Sequence, residues 1–219
     1  MAEGVRVGLK NIHFAKIIEE NETSVTYDKP QKIGNAIEAS ISPSTNSETL
    51  YAEDGPSEVA TAQGATEVEI GIDQLSPKAQ ALLLGHTINS DGVLEKRDTD
   101  EAPYGALLFE SVTTGGKTKL YCLYKGKFMP QEESFATKTD SPEFQTDTIS
   151  GTFVRRDQDN VWQRSVFTGD DSVNPVVIEN WFKKVYEPSE TTSGGTSGTS
   201  GTSGSSGSSG TSGSDSSGS

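Results

Sequence analysis

Between Glu67 and Asp73 the apolar residues Val68, Ile70 and Ile72 alternate with Glu67, Glu69, Gly71 and Asp73. A period of two predicts a strand with one apolar face and one acidic face. The next residues, SPKAQALLLGH, follow a different rule. Ser76 is placed to cap a helix, and Pro77 suits its first position, where no N–H is needed. Ala79, Leu82 and Leu83 supply a short apolar face, and Gly85 a left-handed stop. The pattern predicts a strand that runs into one short helix packed on a sheet.

The rest of the chain is mostly strand material. Val5, Val7, Leu9, Ile12 and Phe14 begin a first strand, and Ser24–Tyr27 and Ile33–Ile41 continue the theme. Ile37, Ala39 and Ile41 alternate with Glu38, Ser40 and Ser42. From Ser42 to Gly64 the sequence is polar and rich in turn residues, with little apolar content beyond Leu50, Tyr51 and Val59. It predicts a long loop, and loops of that length usually carry function. Asn89–Gly92 reads as a turn leading to a short strand at Val93 and Leu94. Tyr104–Val112 and Lys119–Phe128 flank Gly115-Gly116, which is hairpin chemistry. Phe144–Arg156 and Val161–Phe167 predict another hairpin, turning over Asp157–Asn160. After Asn174-Pro175, Val177, Trp181 and Val185 recur at four, as do Ile178, Phe182 and Tyr186. This predicts a C-terminal amphipathic helix ended by Pro188, with Lys183 and Lys184 at the negative end of its dipole. The expected fold is mainly β: two packed sheets with a flanking short helix and a C-terminal helix.

Composition divides the chain in two. Residues 189–219 are almost only Gly, Ser and Thr, and predict a disordered tail, acting as a linker or tether; residues 1–188 are expected to form one β domain. Of 32 acidic and 18 basic residues, the tail holds Glu190 and Asp215, leaving the domain 30 and 18. That balance disfavours nucleic-acid binding, which needs clustered Lys and Arg, and suits a surface that repels DNA. The one cysteine, Cys122, allows no intrachain disulfide and lies within KLYCLY as a buried, inert thiol. No run has transmembrane length, and MAEGVRVGL lacks the character of a signal peptide; the expectation is a soluble protein made inside a cell.

Catalytic chemistry is not legible. His13 and His86 are the only histidines and have no ligand-spaced partners. Asp98, Asp100 and Glu101 lack the Gly and distant Glu of a calcium loop. The GGKT run at Gly115–Thr118 lacks the upstream Gly of a phosphate loop, since position 111 is Ser, and it opens a strand. Trp162 and Trp181 both sit on apolar faces rather than in a sugar cleft. The sequence therefore predicts no catalytic residue, metal ligand or cofactor, and no enzyme. Strong strands with open edges invite pairing between copies; closed pairing gives rings, and head-to-tail contacts between rings give tubes.

Several blocks carry a family resemblance. They are GLKNIHFA at Gly8–Ala15, SPSTNSETLYAEDGP at Ser42–Pro56, EVEIGIDQL at Glu67–Leu75 and LLLGH at Leu82–His86. LYKGKF at Leu123–Phe128, EFQTDTISGTFVRR at Glu143–Arg156 and NPVVIENWFKKVYEP at Asn174–Pro188 complete the set. In this order the chain resembles the major tail tube proteins of long, flexible, non-contractile tailed phages of Gram-positive hosts. The resemblance implies six-subunit rings whose inner sheets join around a DNA channel. It implies growth around a tape-measure protein, with tail tip (initiator) and terminator proteins as further partners, no membrane, assembly in the host cytoplasm and a final place in the virion tail. It also implies that the loop from Ser42 to Gly64 reaches the neighbouring ring, with Ser44, Thr45, Asn46, Glu48, Tyr51, Glu53 and Asp54 as candidate contacts. Sliding DNA would favour a lumen lined by carboxylates, and Glu38, Glu67, Glu69 and Asp73 are the candidates. The other reading is a carbohydrate-binding adhesion sandwich carried on the virion surface by the flexible tail.

Overall fold

The computed structural model describes residues 4–52, 55–130 and 146–188. Contacts divide the chain into Met1–Glu187 and Pro188–Ser219. The Gly/Ser/Thr tail predicted at 189–219 lies outside the described residues.

The elements follow in order: β1 (Arg6–Glu20), β2 (Val25–Tyr27), β3 (Gln31–Lys32), β4 (Ala36–Ala52), β5 (Gly55–Ile72) and α1 (Pro77–Leu84). Then come β6 (Thr87–Ile88), β7 (Leu94–Glu95), β8 (Gly105–Thr113), β9 (Thr118–Phe128), β10 (Asp147–Val154), β11 (Gln163–Phe167) and α2 (Pro175–Asn180). Every pairing is antiparallel, and the main sheet runs β2-β1-β8-β9-β10-β5-β4, with β3 on β1 and β11 on β9. β3 sits at one end of that order and β4 at the other, yet only residues 33–35 join them. So short a link spans ~14 Å at most. The two ends of the sheet must therefore meet, and the wall β1-β8-β9-β10-β5-β4 curls into a barrel.

The barrel interior is the larger core. Ile12 and Phe14 of β1, Val68, Ile70 and Ile72 of β5, Leu107 and Phe109 of β8, Leu123 and Phe128 of β9 and Phe153 of β10 fill it. Phe128 meets Phe14 and Phe153 edge-on, with centroids 5.6 and 5.7 Å away. The helix α1 packs Leu83 and Leu84 into the same core. Its expected ends are present: Ser76 accepts from the Ala79 N–H, and Gly85 takes φ 79°. His86 Nδ1 pairs with Asp100 at 2.7 Å just beyond. Asp100 also accepts from the Arg97 N–H, which, with the His86 bond, holds its carboxyl below the usual range.

A second core lies on the outside of β1, β8 and β9. Ala15, Ala106, Leu108, Leu120, Cys122 and Tyr124 point there and are covered by Trp181 and Val185. β8 and the first part of β9 are thus buried on both faces, which is why GALLF and KLYCLY read as continuous apolar runs rather than alternating ones.

Three expectations are corrected. The segment Ser42–Gly64 is not a loop: it forms most of two long paired strands, β4 and β5, and 53–54 lie outside the described residues. Backbone pairing needs no apolar side chains when both faces are solvated, so the polar composition hid the strands. The predicted turn at Asp157–Asn160 does close, the Arg156 N–H donating to the Val161 carbonyl and the Asn160 N–H to the Arg156 carbonyl (3.1 Å each), but its arms do not pair with each other as a ladder. β10 pairs residues 125–128 of β9, and β11 pairs 119–123 of the same edge. They form one interrupted line along β9, bridged where the Tyr124 N–H donates to the Trp162 carbonyl (3.0 Å). Residues 155–162 leave that line as an excursion. Finally, the C-terminal helix stops at Asn180. Val176, Val177, Ile178, Trp181 and Phe182 are weak helix formers. The chain turns so that Trp181 Nε1 reaches the Tyr121 carbonyl (3.4 Å) and the Tyr186 carbonyl accepts from the Tyr124 hydroxyl (2.6 Å).

Candidate functional site: an acidic face and a projecting ribbon

The alternation of β4 and β5 places Ala39, Ile41, Val68 and Ile70 towards the core, and Glu38, Ser40, Ser42, Glu67 and Glu69 on the outside. Cross-strand register then builds rows. Lys127, Thr152, Glu67 and Ser42 lie opposite one another across β9, β10, β5 and β4. Ser150, Glu69 and Ser40 make the next row, and Thr148, Gly71 and Glu38 the third. Gly71 has a spatial reason: a Cβ there would meet Glu38 Cγ at 2.9 Å, so the glycine lets Glu38 lie across the sheet. A shallow groove of 230 Å³ between Ser40, Ser42, Glu67, Glu69, Met129 and Ser150 runs through this face. It is polar, hydroxyl-rich and acidic, with Lys127 as its basic border.

Three of the four predicted acidic residues are brought together here. Asp73 is also exposed, but its carboxylate is occupied. It accepts from Asn35 Nδ2 (2.8 Å), the Asn35 N–H (3.1 Å) and the Gln74 N–H (2.8 Å). These bonds, the Asn35 side chain first, hold its carboxyl below the ordinary aspartate value. Asp73 ties the start of β4 to the end of β5, a bridge that spacing along the chain could not reveal.

The second feature is the far part of the same hairpin. β10 follows β5 only from Ile72 to Thr66, whereas β4 and β5 stay paired out to Ala52 and Gly55. Beyond Pro43 and Thr66 the hairpin is a two-stranded ribbon of ~30 Å. Ser44, Thr45 and Asn46 are exposed on it, as are Val59, Thr61, Ala62, Gln63 and Gly64. Glu48 and Tyr51 belong to β4 by backbone pairing; Glu53 and Asp54 lie outside the described residues. The register slips at the base, where Pro43 pairs Thr66 but Thr45 pairs Gln63, and Ser44 Oγ donates to the Ala65 carbonyl (2.7 Å). A cleft of 460 Å³ opens beside this base, lined by Gln63, Thr66, Arg155, Asn160 and Trp162 among others. Between Lys32 and Lys78 the sequence has eight acidic residues and no Lys or Arg. An isolated two-stranded ribbon is marginal in water.

These two surfaces share one hairpin, and that hairpin begins the region in which the chain matches a family model. Residues 36–186 match the model described as phage tail tube protein. The chain belongs to the phage tail tube protein family. Membership makes it a structural protein of the virion tail, one that self-assembles into a tube together with other tail proteins. The mainly β architecture with few helices agrees with the family's fold. No curated protein matched the chain. No helix among the described residues is long and apolar enough to cross a membrane.

Sequence reasoning missed the residues that fasten the C-terminal end of the family domain. Arg156, at the start of the 155–162 excursion, is fully buried. Its Nε and Nη2 donate to Asp159 (3.2 and 2.6 Å), and both Nη atoms engage Glu187. Its guanidinium lies 3.9 Å from the centroid of Tyr124. Arg164 stands 5.0 Å from the same ring and donates to Asp159 (2.9 Å) and to the Tyr124 hydroxyl (3.1 Å). Burial raises the Tyr27 and Tyr124 phenols and the Cys122 thiol above their ordinary values, so all three stay protonated. Partial burial works to raise the Asp159 carboxyl too, but hydrogen bonds from Arg156, the Val161 N–H and Arg164 outweigh it and hold it low. The one sequence signal was the pair Arg155-Arg156 on a strand of otherwise alternating character; nothing in it says which arginine turns inward.

Proposed function

We propose that this protein is the major tail tube subunit of a long, flexible, non-contractile phage tail from a Gram-positive host. Six copies of the 1–188 domain form a ring, and rings stack into the channel through which DNA is ejected. The tube grows in the host cytoplasm around a tape-measure protein, between a tip initiator and a terminator, and the subunit performs no catalysis. Glu38, Glu67 and Glu69 face the lumen, with Asp73 at its border holding the strand ends. The ribbon carrying Ser44, Thr45, Asn46, Glu48, Tyr51, Glu53 and Asp54 reaches the neighbouring ring, and residues 189–219 form a tail outside the domain.

The observation that carries this reading is the single hairpin with two characters. Its barrel half presents carboxylates and hydroxyls to solvent, and its distal half projects with no packing partner among the described residues. A carboxylate-lined wall repels phosphates and offers DNA no counterion release, so DNA slides without sticking. Negative-stain electron microscopy of the concentrated protein, beside a version ending at Pro188, tests the proposal. Tubes or rings of uniform diameter in both samples are expected. A strictly monomeric protein that binds host-surface glycans would replace the proposal with the adhesion module.

A further inference from the structure

Two open strand edges lie on the same side of β9 and do not meet. β10 and β11 share one line along β9, and β5 lies on the far side of β10. β5 has β10 as a partner only as far as Thr66; from Gln63 onward it pairs with β4 alone. Among the described residues β11 pairs with β9 alone. The outer edge of β11 and the edge of β5 at residues 62–65 therefore face the same gap. Open edges of this kind are templates for pairing, so something must hold these two apart.

What stands between them is the excursion 155–162. Val154 lies opposite Lys125 and Gln163 opposite Leu123, so the chain spends these residues on a single step of β9, past Tyr124. The inner side of the excursion is locked. Arg156 is fully buried and bonded to Asp159 and Glu187, and Asp159 also accepts from Arg164 of β11 (2.9 Å) and from the Val161 N–H (3.1 Å). Asn160 takes φ 56° and turns the chain back to Trp162, whose carbonyl is pinned by the Tyr124 N–H. The outer side, with Arg155, Asn160 and Trp162, is one wall of the 460 Å³ cleft; Gln63 and Thr66 of β5 belong to the other. At the same level the β4–β5 register slips between Pro43 and Thr45, and a Cβ on Gly64 would meet Ser44 Oγ at 2.5 Å. A slip of this kind bends a strand pair. The ribbon parts from the sheet where the excursion takes the place of a strand.

We propose that the excursion 155–162 is a wedge that sets the direction in which the β4–β5 ribbon leaves the barrel, with Trp162 as its face and the Arg156–Glu187 clasp as its lock. Arg156 cannot leave its buried place without breaking its bonds to Glu187, so the wedge stays out of the sheet while the C-terminal segment is docked. Trp162 and Glu187 are positioning residues: they act on the ribbon through the shape of the gap, and neither needs to touch a partner. On the tail tube reading, on which the use of the wedge rests, a ribbon that already points one way loses less conformational freedom when it meets its partner.

Spin-label distances test it, because Cys122 is fully buried and takes no label. Full-length Thr61→Cys/Ser165→Cys protein carries one label on the ribbon and one on β11, both at exposed positions. Pulsed electron paramagnetic resonance, with the labelled protein diluted in unlabelled protein, should give one narrow distance peak. Trp162→Ala and Glu187→Gln, each added to the labelled pair, should lose that peak to a broad distribution with shorter distances, as the ribbon swings towards β11. Trp162→Phe should keep it. Ile149→Val trims the barrel core away from the wedge; it should lower the urea midpoint and leave the peak in place. Circular dichroism checks that every variant is folded. A broad distribution in the parent pair, a peak unchanged by both Trp162→Ala and Glu187→Gln, or equal broadening by Ile149→Val overturns the wedge. Electron microscopy of the unlabelled variants reads its use. Loss of tubes by Trp162→Ala and Glu187→Gln but not by Trp162→Phe or Ile149→Val supports it. Tubes from every variant despite a broadened peak overturn that use and leave the tail tube reading standing. No tubes from any sample, the parent included, overturns the tail tube reading, and the distances alone then decide the wedge.

Discussion

The two sides of the barrel solve opposite problems. The outside of β1, β8 and β9 is sealed by the C-terminal segment, with Trp181 over Cys122 and Leu108 and a buried arginine at its end. The outside of β4, β5 and β10 is left bare, and its hairpin runs on past the barrel. On the first side the chain completes its own core. On the second it keeps acidic and unpaired surface that contributes nothing to the monomer's stability. The difference teaches where to look for function in a protein without an active site: in surface that is ordered at a cost and returns nothing to the fold.

The sharpest break of this comparison is to shorten the ribbon. Removing 45–52 and 55–63 together keeps the register of the barrel half. The variant should keep the circular dichroism and melting behaviour of the parent and form no stacked rings by electron microscopy. Normal tubes would refute the division of labour.

The sealed side should fail in the opposite way. Asp159→Asn/Glu187→Gln leaves the Arg156 charge buried without its carboxylates and should cost about 3–5 kcal/mol in urea unfolding. Arg156→Met removes the buried charge itself. Asp159 and Glu187 keep contact with water, so about 2–3 kcal/mol is expected. The reverse ranking would show that the cluster is held by packing alone.

Acid titration sharpens the same contrast. The Asp159 carboxyl is held below its ordinary value in the folded protein. Its contribution is therefore fully present above the unfolded pKa, near 3.9, and is lost as pH falls through the depressed folded value. Asp159→Asn should flatten the loss of stability below about pH 4. A melting curve series from pH 7 to pH 3 that is superimposable on the parent's in shape would exclude Asp159 as a source of acid sensitivity.

The smallest structural effect belongs to the bare face. Replacing Glu38, Glu67 and Glu69 with Lys should leave folding and tubes intact and slow DNA release from reconstituted virions, since phosphates would then find partners along the channel. Asp73 is left out because its carboxylate holds Asn35. Ejection at the parent's rate would place this face outside the lumen.

Much of this was legible because local rules are local. Period two in VEIGI set the strand and its two faces, and Ser76, Pro77 and Gly85 set the ends of α1, since caps and alternation act within a few residues. The acidic face followed from the same alternation. What failed did so for lack of a partner in the sequence. The polar stretch after Ser42 forms strands because β4 and β5 pair with each other, and backbone hydrogen bonds leave no apolar mark. The turn at 157–160 closed as expected, but its arms did not pair, because β9 offered one edge long enough for both β10 and β11. Recurrence at four after Asn174 did not sustain a helix because Trp181 and Tyr186 found better contacts on β9.

By itself, then, the sequence determined the strand alternation, the helix caps, the surplus of carboxylates and the family likeness of the domain. Only the tertiary structure decided that Arg156 turns inward while Arg155 does not, that Asp73 binds a strand end, and that β4 and β5 stay paired beyond the point where β10 leaves β5. The physical reason is one of range. Periodicity and capping are settled between residues a few positions apart, whereas the burial of a charge and the direction of a ribbon depend on strands brought together from distant parts of the chain.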